Sequence, residues 1–151
     1  MAHTQSMDTA DRSAALLSAG VWAAIIFFLV ATAESFLRPG FDLTRHAISM
    51  LSLGERGWLM VATFVLSGLL VLGAALGLKR AGAGVVVPLL LGLYGIGLVL
   101  AGLFPAPAGL GFPPGTPDDQ QPVMTTTAIV HSIAFMLAFA SLIVACSVLA
   151  F

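Results

Sequence analysis

Four long apolar stretches, separated by short polar ones, dominate the pattern of hydrophobic and polar positions along the chain. A helix that crosses a bilayer needs about 20 mostly apolar residues. The stretches meet this length and lie at about 13–37, 58–78, 85–104 and 125–151. The pattern therefore predicts an all-α membrane protein with four transmembrane helices.

These spans form a single predicted transmembrane domain, residues 13–151, which follows a polar and flexible tail at residues 1–12. The first span has a second interpretation as a signal peptide, since Ala31-Thr-Ala33 fits a small-x-small cleavage site. We favour a spanning helix because the run is long for a signal peptide and its leading segment is not net basic.

The composition supports a membrane protein. The chain is 59% hydrophobic and 9% charged with a mean hydropathy of +1.05, whereas soluble domains have about 25% charged residues. The net charge of -1 gives no indication of nucleic acid binding. The single cysteine, Cys146, lies in an apolar run and excludes both an internal disulfide and a cysteine metal cluster. We predict no metal and no cofactor.

The polar stretch 38–57 holds three of the six basic residues. Arg38-Pro-Gly40 ends the first span, because proline disfavours helix before it and glycine permits a turn. Asp42 or Thr44 can then cap a short helix over about 43–53, ended by Gly54. One arc of this helix is apolar and the opposite arc is polar, so we predict an amphipathic helix at the membrane interface.

Two further patterns concern packing. The region 105–124 is rich in Pro and Gly, which predicts an ordered or extended loop rather than a helix. The second span contains Gly73-Ala-Ala-Leu-Gly77, a small-xxx-small pattern that favours close helix contact. In the third span we interpret the glycines as packing positions, with a hinge as the alternative: Gly92, Gly95, Gly97 and Gly102.

Glu34 and His131 are polar residues inside apolar spans, which makes each a candidate functional residue. Glu34 and Arg38 are spaced i,i+4 and can pair on one face, either as an interfacial ion pair or with Glu34 as a functional acid. Arginine binds phosphate or carboxylate, and histidine exchanges protons near neutral pH. We therefore predict that His46 and His131 converge with Glu34 and Arg45 around one cavity.

The predicted ligand-binding residues are Arg38, Arg45, His46, Ser49 and His131. The candidates for a catalytic role are His46, His131 and Glu34. The alternative for the residues of the central stretch is a structural role, in which they cap helix ends and bond neighbouring loops. The histidines lack supporting carboxylates at a diagnostic spacing, so metal or haem binding is not favoured.

The termini and the Lys79-Arg80 turn share one side of the predicted bundle. Counting only Lys and Arg, that side carries Arg12, Lys79 and Arg80, and the other side carries Arg38, Arg45 and Arg56, so the positive-inside rule ties. The loop 105–124 has no basic residue, as is typical of exported loops. We therefore predict a multi-pass protein of the plasma membrane with cytoplasmic termini.

The ordered strings in these regions resemble a bacterial membrane-protein family, domain of unknown function 998 (DUF998). They are Arg38-Pro-Gly-Phe-Asp42, Arg45-His-Ala-Ile-Ser-Met-Leu-Ser-Leu-Gly54, Gly57-Trp58, Ala101-Gly-Leu-Phe104, Gly111-Phe-Pro-Pro-Gly115 and His131. The resemblance implies a six-helix fold, so the four spans here are expected to be a fragment of such a bundle. Relatives often carry an Asp-Pro pair where this chain has Pro105-Ala-Pro-Ala-Gly-Leu110. The resemblance brings no settled activity.

Three functions remain open on the sequence. The first is a protein that binds a membrane lipid, a lipid head group or a small anionic ligand, or that supports a membrane partner or a second copy of itself. The second is an enzyme acting on a lipid head group, with histidine as general acid or base. The third is a small-molecule transporter, which would require polar residues deep in the spans.

Overall fold

The computed structural model describes the backbone of residues 2–150 and the side chains of residues 13–150. It contains four α-helices in chain order, α1 (Ala2–Leu37), α2 (Gly57–Arg80), α3 (Val86–Leu103) and α4 (Thr126–Ala150). Each of the four is long and apolar enough to cross a membrane. The described part of the chain contains no β-strand, so the predicted all-α membrane fold is confirmed.

The first helix begins earlier than the apolar pattern predicts. Its backbone is helical from Ala2, within the stretch 1–12 that we expected to be a flexible tail. The part long and apolar enough to span is Ser13–Leu37. The side chains of residues 1–12 lie outside the described residues.

The helices pack in chain order, with α2 and α3 in the centre. Helix α1 packs on α2, α2 on α3 and α3 on α4, whereas α1 and α4 form no comparable interface. In the most apolar 18-residue segment of each helix, 44% of α2 is buried inside the protein, against 11% of the α1 segment and 22% of the α4 segment. The outer helices therefore leave a gap between them on one face of the α2–α3 pair.

Glycines allow the central helices to approach closely. A Cβ atom on Gly68 of α2 would lie 2.7 Å from the carbonyl oxygen of Gly95 on α3. A Cβ on Gly97 would lie 2.8 Å from the carbonyl oxygen of Ala134 on α4. Close backbone contact through small residues is a typical way to pack helices in a membrane. Gly92 differs, because nothing lies within 4 Å of its position for a Cβ.

The connections 38–56 and 104–125 meet at one end of the bundle and together form what we call the cap. The ring of Phe112 is fully buried and packs edge-on against Phe41, with ring centroids 5.3 Å apart. The loop 105–124 is ordered by backbone hydrogen bonds, including Leu110 N–H to the Gln120 carbonyl at 2.7 Å. The peptide bond between Phe112 and Pro113 is cis.

The predicted interfacial helix over 43–53 is wrong in length and type. The structure has a 3₁₀ helix of five residues, Ile48–Ser52. The chain before it is held in a turn, because the Asp42 carboxylate accepts the Thr44 amide and hydroxyl, and such local bonds compete with helix. The apolar face also differs from the prediction, since Leu43 is 52% exposed while Met50 and Leu51 are buried.

Candidate functional site

Glu34 forms a buried ion triad with Arg38 and Arg56. Both Nε and Nη2 of Arg38 donate to Oε2 of Glu34, at 3.0 and 2.8 Å, and Nη2 of Arg56 donates to Oε1. Glu34 is 3% exposed and Arg38 is 7% exposed. The carboxylate thus has both oxygens occupied, which agrees with an ion pair and gives no support to a role as a functional acid.

Arg38 also ties the end of α1 to the cap. Its Nη1 donates to the carbonyl of Leu53 at 2.7 Å, and its Nη2 donates to the carbonyl of Leu51 at 2.9 Å. Leu51 lies near the end of the 3₁₀ helix and Leu53 directly follows it, where helical bonds leave carbonyl acceptors unused. The Arg38 guanidinium therefore stabilises the backbone of residues 51–53 in a conformation other than the longer helix predicted from the sequence.

A pocket of about 420 Å³ lies on the outside of the triad. Its wall includes Arg38, Arg56 and Glu55. Arg38 and Arg56 carry two positive charges, and Glu34 and Glu55 carry two negative charges, so the four formal charges sum to zero. This balance gives an anion little net attraction to the pocket.

His46 joins the two halves of the cap. Its Nδ1 accepts the amide of Asp42 at 2.9 Å, so Nε2 carries the proton and donates to the carbonyl of Leu110 at 2.9 Å. The ring packs against both Phe41 and Phe112, with centroid distances of 5.5 and 5.4 Å. Both ring nitrogens are used within the protein, which corresponds to the structural alternative for this residue.

Arg45 lies on the outer surface of the cap. Its side chain is half-exposed, and its Nη1 is 4.0 Å from a carboxylate oxygen of Asp118. Arg45 thus helps to hold the loop 105–124 by a weak exposed contact.

The neighbouring Asp42 carboxylate accepts the hydroxyl and the amide of Thr44, and these bonds lower the pKa of Asp42 below its usual value.

His131 is held from one side only. Its Nδ1 donates to the carbonyl of Phe104 at 2.7 Å, where α3 ends. The side chain is 6% exposed, yet no described residue bonds its Nε2. Every fully buried side-chain nitrogen or oxygen in the described part of the chain has a partner, so Nε2 has accessible surface. An imidazole fixed at one nitrogen and open at the other is suited to bind a ligand.

The space beside His131 is a cavity of about 140 Å³, which we call the His131 cavity. It lies under the cap between the four helices. Aromatic side chains form most of its wall, and Ser49 of the 3₁₀ helix contributes a hydroxyl for which the described residues provide no partner. The lining residues are Phe27, Ile48, Ser49, Phe64, Tyr94, Leu98, Ala101, His131, Phe135, Ala138 and Phe139.

A second space, the interfacial pocket, lies on the other side of Ser49 and His131. It measures about 360 Å³ and is bounded by both residues, by α4 and by Pro107 and Pro122 of the cap. Ser49 and His131 therefore stand between a pocket at the level of the membrane interface and a cavity within the membrane. No charged residue lines either space.

The predicted site residues thus occupy three environments. Glu34 and Arg38 belong to the ion triad, and Arg45 and His46 hold the cap. Ser49 and His131 line a common cavity, which the other four do not line. The predicted convergence of both histidines with Glu34 and Arg45 is not what the structure shows, because His46 and Glu34 use their polar atoms for other contacts.

Tyr94 was not predicted as a site residue. It lies near the middle of α3 and lines the His131 cavity, and no described residue bonds its hydroxyl. It is the single tyrosine of the chain, and a polar group at the centre of a span indicates a functional position. That signal was present in the sequence and pointed to this residue.

The side chains of residues 13–150 include no group of three or more His, Cys, Asp or Glu placed to hold a metal ion. Cys146 is exposed on α4 without a disulfide partner in that part of the chain. The chemistry at the His131 cavity is therefore that of one imidazole and of neutral hydroxyls on an apolar wall.

The fold gives the class of protein, and comparison with known proteins gives the family of the chain. The four apolar helices define a multi-pass membrane protein that contacts lipid. The family model described as "Protein of unknown function (DUF998)" matches residues 21–151. The chain therefore belongs to the DUF998 family, as the motifs predict. Comparisons with curated proteins and with solved structures gave no match.

Proposed function

We propose that this protein binds a membrane lipid, holding a polar group of the lipid between Ser49 and His131. The observation that carries the proposal is the imidazole of His131. It is buried, oriented by Phe104 and open at Nε2 toward spaces that Ser49 also lines. Because Nε2 has accessible surface and no partner among the described residues, a lipid polar group can supply a hydrogen bond there.

The character of the walls supports an uncharged polar group. With Nδ1 donating to Phe104, the neutral imidazole accepts at Nε2, and the Ser49 hydroxyl can donate or accept. A lipid hydroxyl group, or a lipid carboxyl group in its protonated form, offers both roles. A phosphate would enter without a cationic partner, because Arg38 and Arg45 do not line the His131 cavity. The anionic small ligand of our sequence prediction is therefore less well supported than a lipid hydroxyl or carboxyl.

The position of the site also supports a lipid. The interfacial pocket lies beside the cap, and the His131 cavity lies deeper between the helices. Because α1 and α4 do not pack together, a lipid can enter sideways through the gap between them. Catalysis remains an alternative, but His46 and Glu34 have their polar atoms occupied. Transport has no further support, since the hydroxyls of Ser67 and Ser141 near the middle of their spans already donate to backbone carbonyls.

The proposed location is the plasma membrane, with cytoplasmic termini and the cap on the outer side. The absence of basic residues from the loop 105–124 supports this orientation. Labelling of a cysteine introduced at Thr116 with a membrane-impermeant maleimide tests it in intact cells, with Cys146 replaced by Ala. Labelling without permeabilisation agrees with the proposal, and labelling only after permeabilisation contradicts it.

Native mass spectrometry of the detergent-purified protein with oleic acid and oleyl alcohol tests the binding. Ser49→Ala is the cleanest variant, because it removes a hydroxyl for which the described residues provide no partner. We expect about 3- to 10-fold weaker binding, the value of one hydrogen bond of about 1 kcal/mol. His131→Gln should weaken binding at least as much.

Ser18→Ala is the matched control, since its hydroxyl bonds only the carbonyl of Ala15 on the same helix. Preference for the acid or the alcohol identifies which polar group the site takes. If Ser49→Ala and His131→Gln bind both lipids as tightly as the parent protein does, the proposed site is contradicted.

A further inference from the structure

A larger groove adjoins the His131 cavity and extends deeper into the membrane. This space, the lower groove, measures about 520 Å³ and lies against α1, α2 and α3. Phe27, Tyr94 and Leu98 line both spaces. The remaining wall of the lower groove is formed by Gly20, Ala23, Ala24, Ile25, Phe28, Ser67 and Val71.

The lower groove carries no charged residue on its wall. The hydroxyl of Ser67 is already used, since it donates to the carbonyl of Ala23 at 3.3 Å. Ala24 and Phe28 are exposed on the outer surface of α1, so the groove opens toward the hydrocarbon of the bilayer. Such a surface is unsuited to water, and hydrocarbon is the solvent around it.

The depth of the groove can be read from the helix rise. Val71 lies fourteen residues after Gly57, where α2 begins at the cap, which places it about 21 Å below that end. Half of the hydrocarbon core is about 15 Å thick. The two spaces together therefore lead from the cap to beyond the middle of the membrane.

Continuity with the polar site favours a hydrocarbon chain as the occupant of the lower groove. The groove shares Phe27, Tyr94 and Leu98 with the His131 cavity, so a chain attached to a polar group at Ser49 and His131 can reach it directly. A hydrocarbon chain needs no polar partner along its length, which matches the apolar wall.

We propose that the lower groove holds the hydrocarbon chain of the lipid bound at Ser49 and His131, and that the protein selects a lipid with one long chain. The chain runs from the polar pair past Phe27 and Tyr94 to Val71. This inference rests on the proposed function and adds to it the class of ligand, a long-chain alcohol or acid, and the direction in which it lies.

The test compares oleic acid with octanoic acid by native mass spectrometry of the full chain. Ala24→Phe places a ring in the lower groove from an exposed position. We expect it to weaken oleic acid binding at least 10-fold and to change octanoic acid binding less than 2-fold, because the short chain ends in the His131 cavity. Ala33→Phe, at an exposed position of α1 that lines neither space, should leave both unchanged.

The two proposals fail in different ways. If neither the acids nor oleyl alcohol binds the parent protein, or if Ser49→Ala and His131→Gln have no effect, the proposed function is wrong. If oleic acid binds through Ser49 but Ala24→Phe leaves its affinity unchanged, the chain lies elsewhere and only the present inference is overturned.

A second measurement does not depend on the stability of Ala24→Phe. An oleic acid analogue with a diazirine near the chain end should label the parent protein within residues 20–28 and 67–71. Labelling confined to the outer surface of α4 would overturn the inference.

Discussion

Replacing Arg38 with alanine should unfold the cap much more readily than replacing Arg56, although both arginines contact Glu34. Arg38 is buried and donates four hydrogen bonds, two to Glu34 and one each to the carbonyls of Leu51 and Leu53. Arg56 is half-exposed and donates one, to Glu34. The two substitutions therefore remove the same charge from very different settings.

The expected magnitudes follow from burial. Removing one partner of a buried ion pair costs about 3–5 kcal/mol of unfolding free energy, and Arg38→Ala also leaves two carbonyls without a donor. An exposed ion pair contributes about 0–1 kcal/mol, so Arg56→Ala should cost about 1 kcal/mol. The difference between the variants should reach at least 2 kcal/mol.

Reversible unfolding in mixed micelles of detergent and sodium dodecyl sulfate measures both free energies. Arg38→Lys is an informative third variant, because one ammonium cannot reach all the acceptors of the fork, and it should recover only part of the loss. Equal costs for Arg38→Ala and Arg56→Ala would refute the structural assignment. So would a rise in the stability of the parent protein on adding inorganic phosphate that exceeds the effect of sulfate and is lost in Arg38→Ala, since that result would make Arg38 a ligand-binding residue.

Three further predictions concern the cap and the helix packing. His46→Phe keeps a ring but leaves the two backbone groups bonded by the imidazole without partners, so it should cost about 1–3 kcal/mol per group in the same unfolding assay. The pKa of Asp42 is lowered in the folded protein, so the Asp42 carboxylate stabilises the fold fully above its unfolded-state pKa. That stabilisation is lost as the pH falls through the lower folded-state pKa. Asp42→Asn should therefore reduce the loss of thermal stability at acid pH, as measured by thermal melts. Gly97→Ala should destabilise by about 1–3 kcal/mol because its Cβ would clash with α4, whereas Gly92→Ala should be neutral, and equal effects in unfolding would contradict the packing described.

The four helices could be predicted from the sequence because a bilayer demands long apolar runs with internally bonded backbone. The packing positions Gly95, Gly97 and Gly102 could also be recognised, since each faces a neighbouring helix in close contact. Gly92 shows the limit of the pattern. Glycine content does not reveal which side of a helix meets a neighbour.

The cap could not be predicted, because its shape depends on contacts between distant residues. The helical pattern over 43–53 ignored two competitors, the Asp42 turn and the carbonyls taken by Arg38. His46 finds its partner at Leu110, a pairing that periodicity cannot show. These polar residues have structural roles. The sequence alone was compatible both with a structural role and with ligand binding.

Ser49 and His131 were predicted as members of one ligand-binding set, and the structure brings these two members to one cavity. Helix direction placed His131 at the cap end of the bundle, which is why the two could be associated. Tyr94 was not predicted, because the candidates were charged residues, histidines and a serine near the cap end. A lone tyrosine in mid-span is the same kind of signal as a histidine within a span.

The central claim is that the space beside His131 holds a lipid, and photo-crosslinking from that space tests it most directly. Benzoylphenylalanine in place of Phe135, which lines both the His131 cavity and the interfacial pocket and is 47% exposed, should capture one lipid species well above its share of the membrane in which the protein is expressed. Ile133 is exposed on the same helix and lines neither space, so the same probe there should capture bulk lipids in proportion to their abundance.

We predict that one hydroxyl- or carboxyl-bearing long-chain lipid is enriched at Phe135 relative to Ile133, and that adding Ser49→Ala removes this enrichment. The same mixture of lipids from both positions would contradict the claim, because it would show that the cavity holds nothing that the surrounding membrane does not.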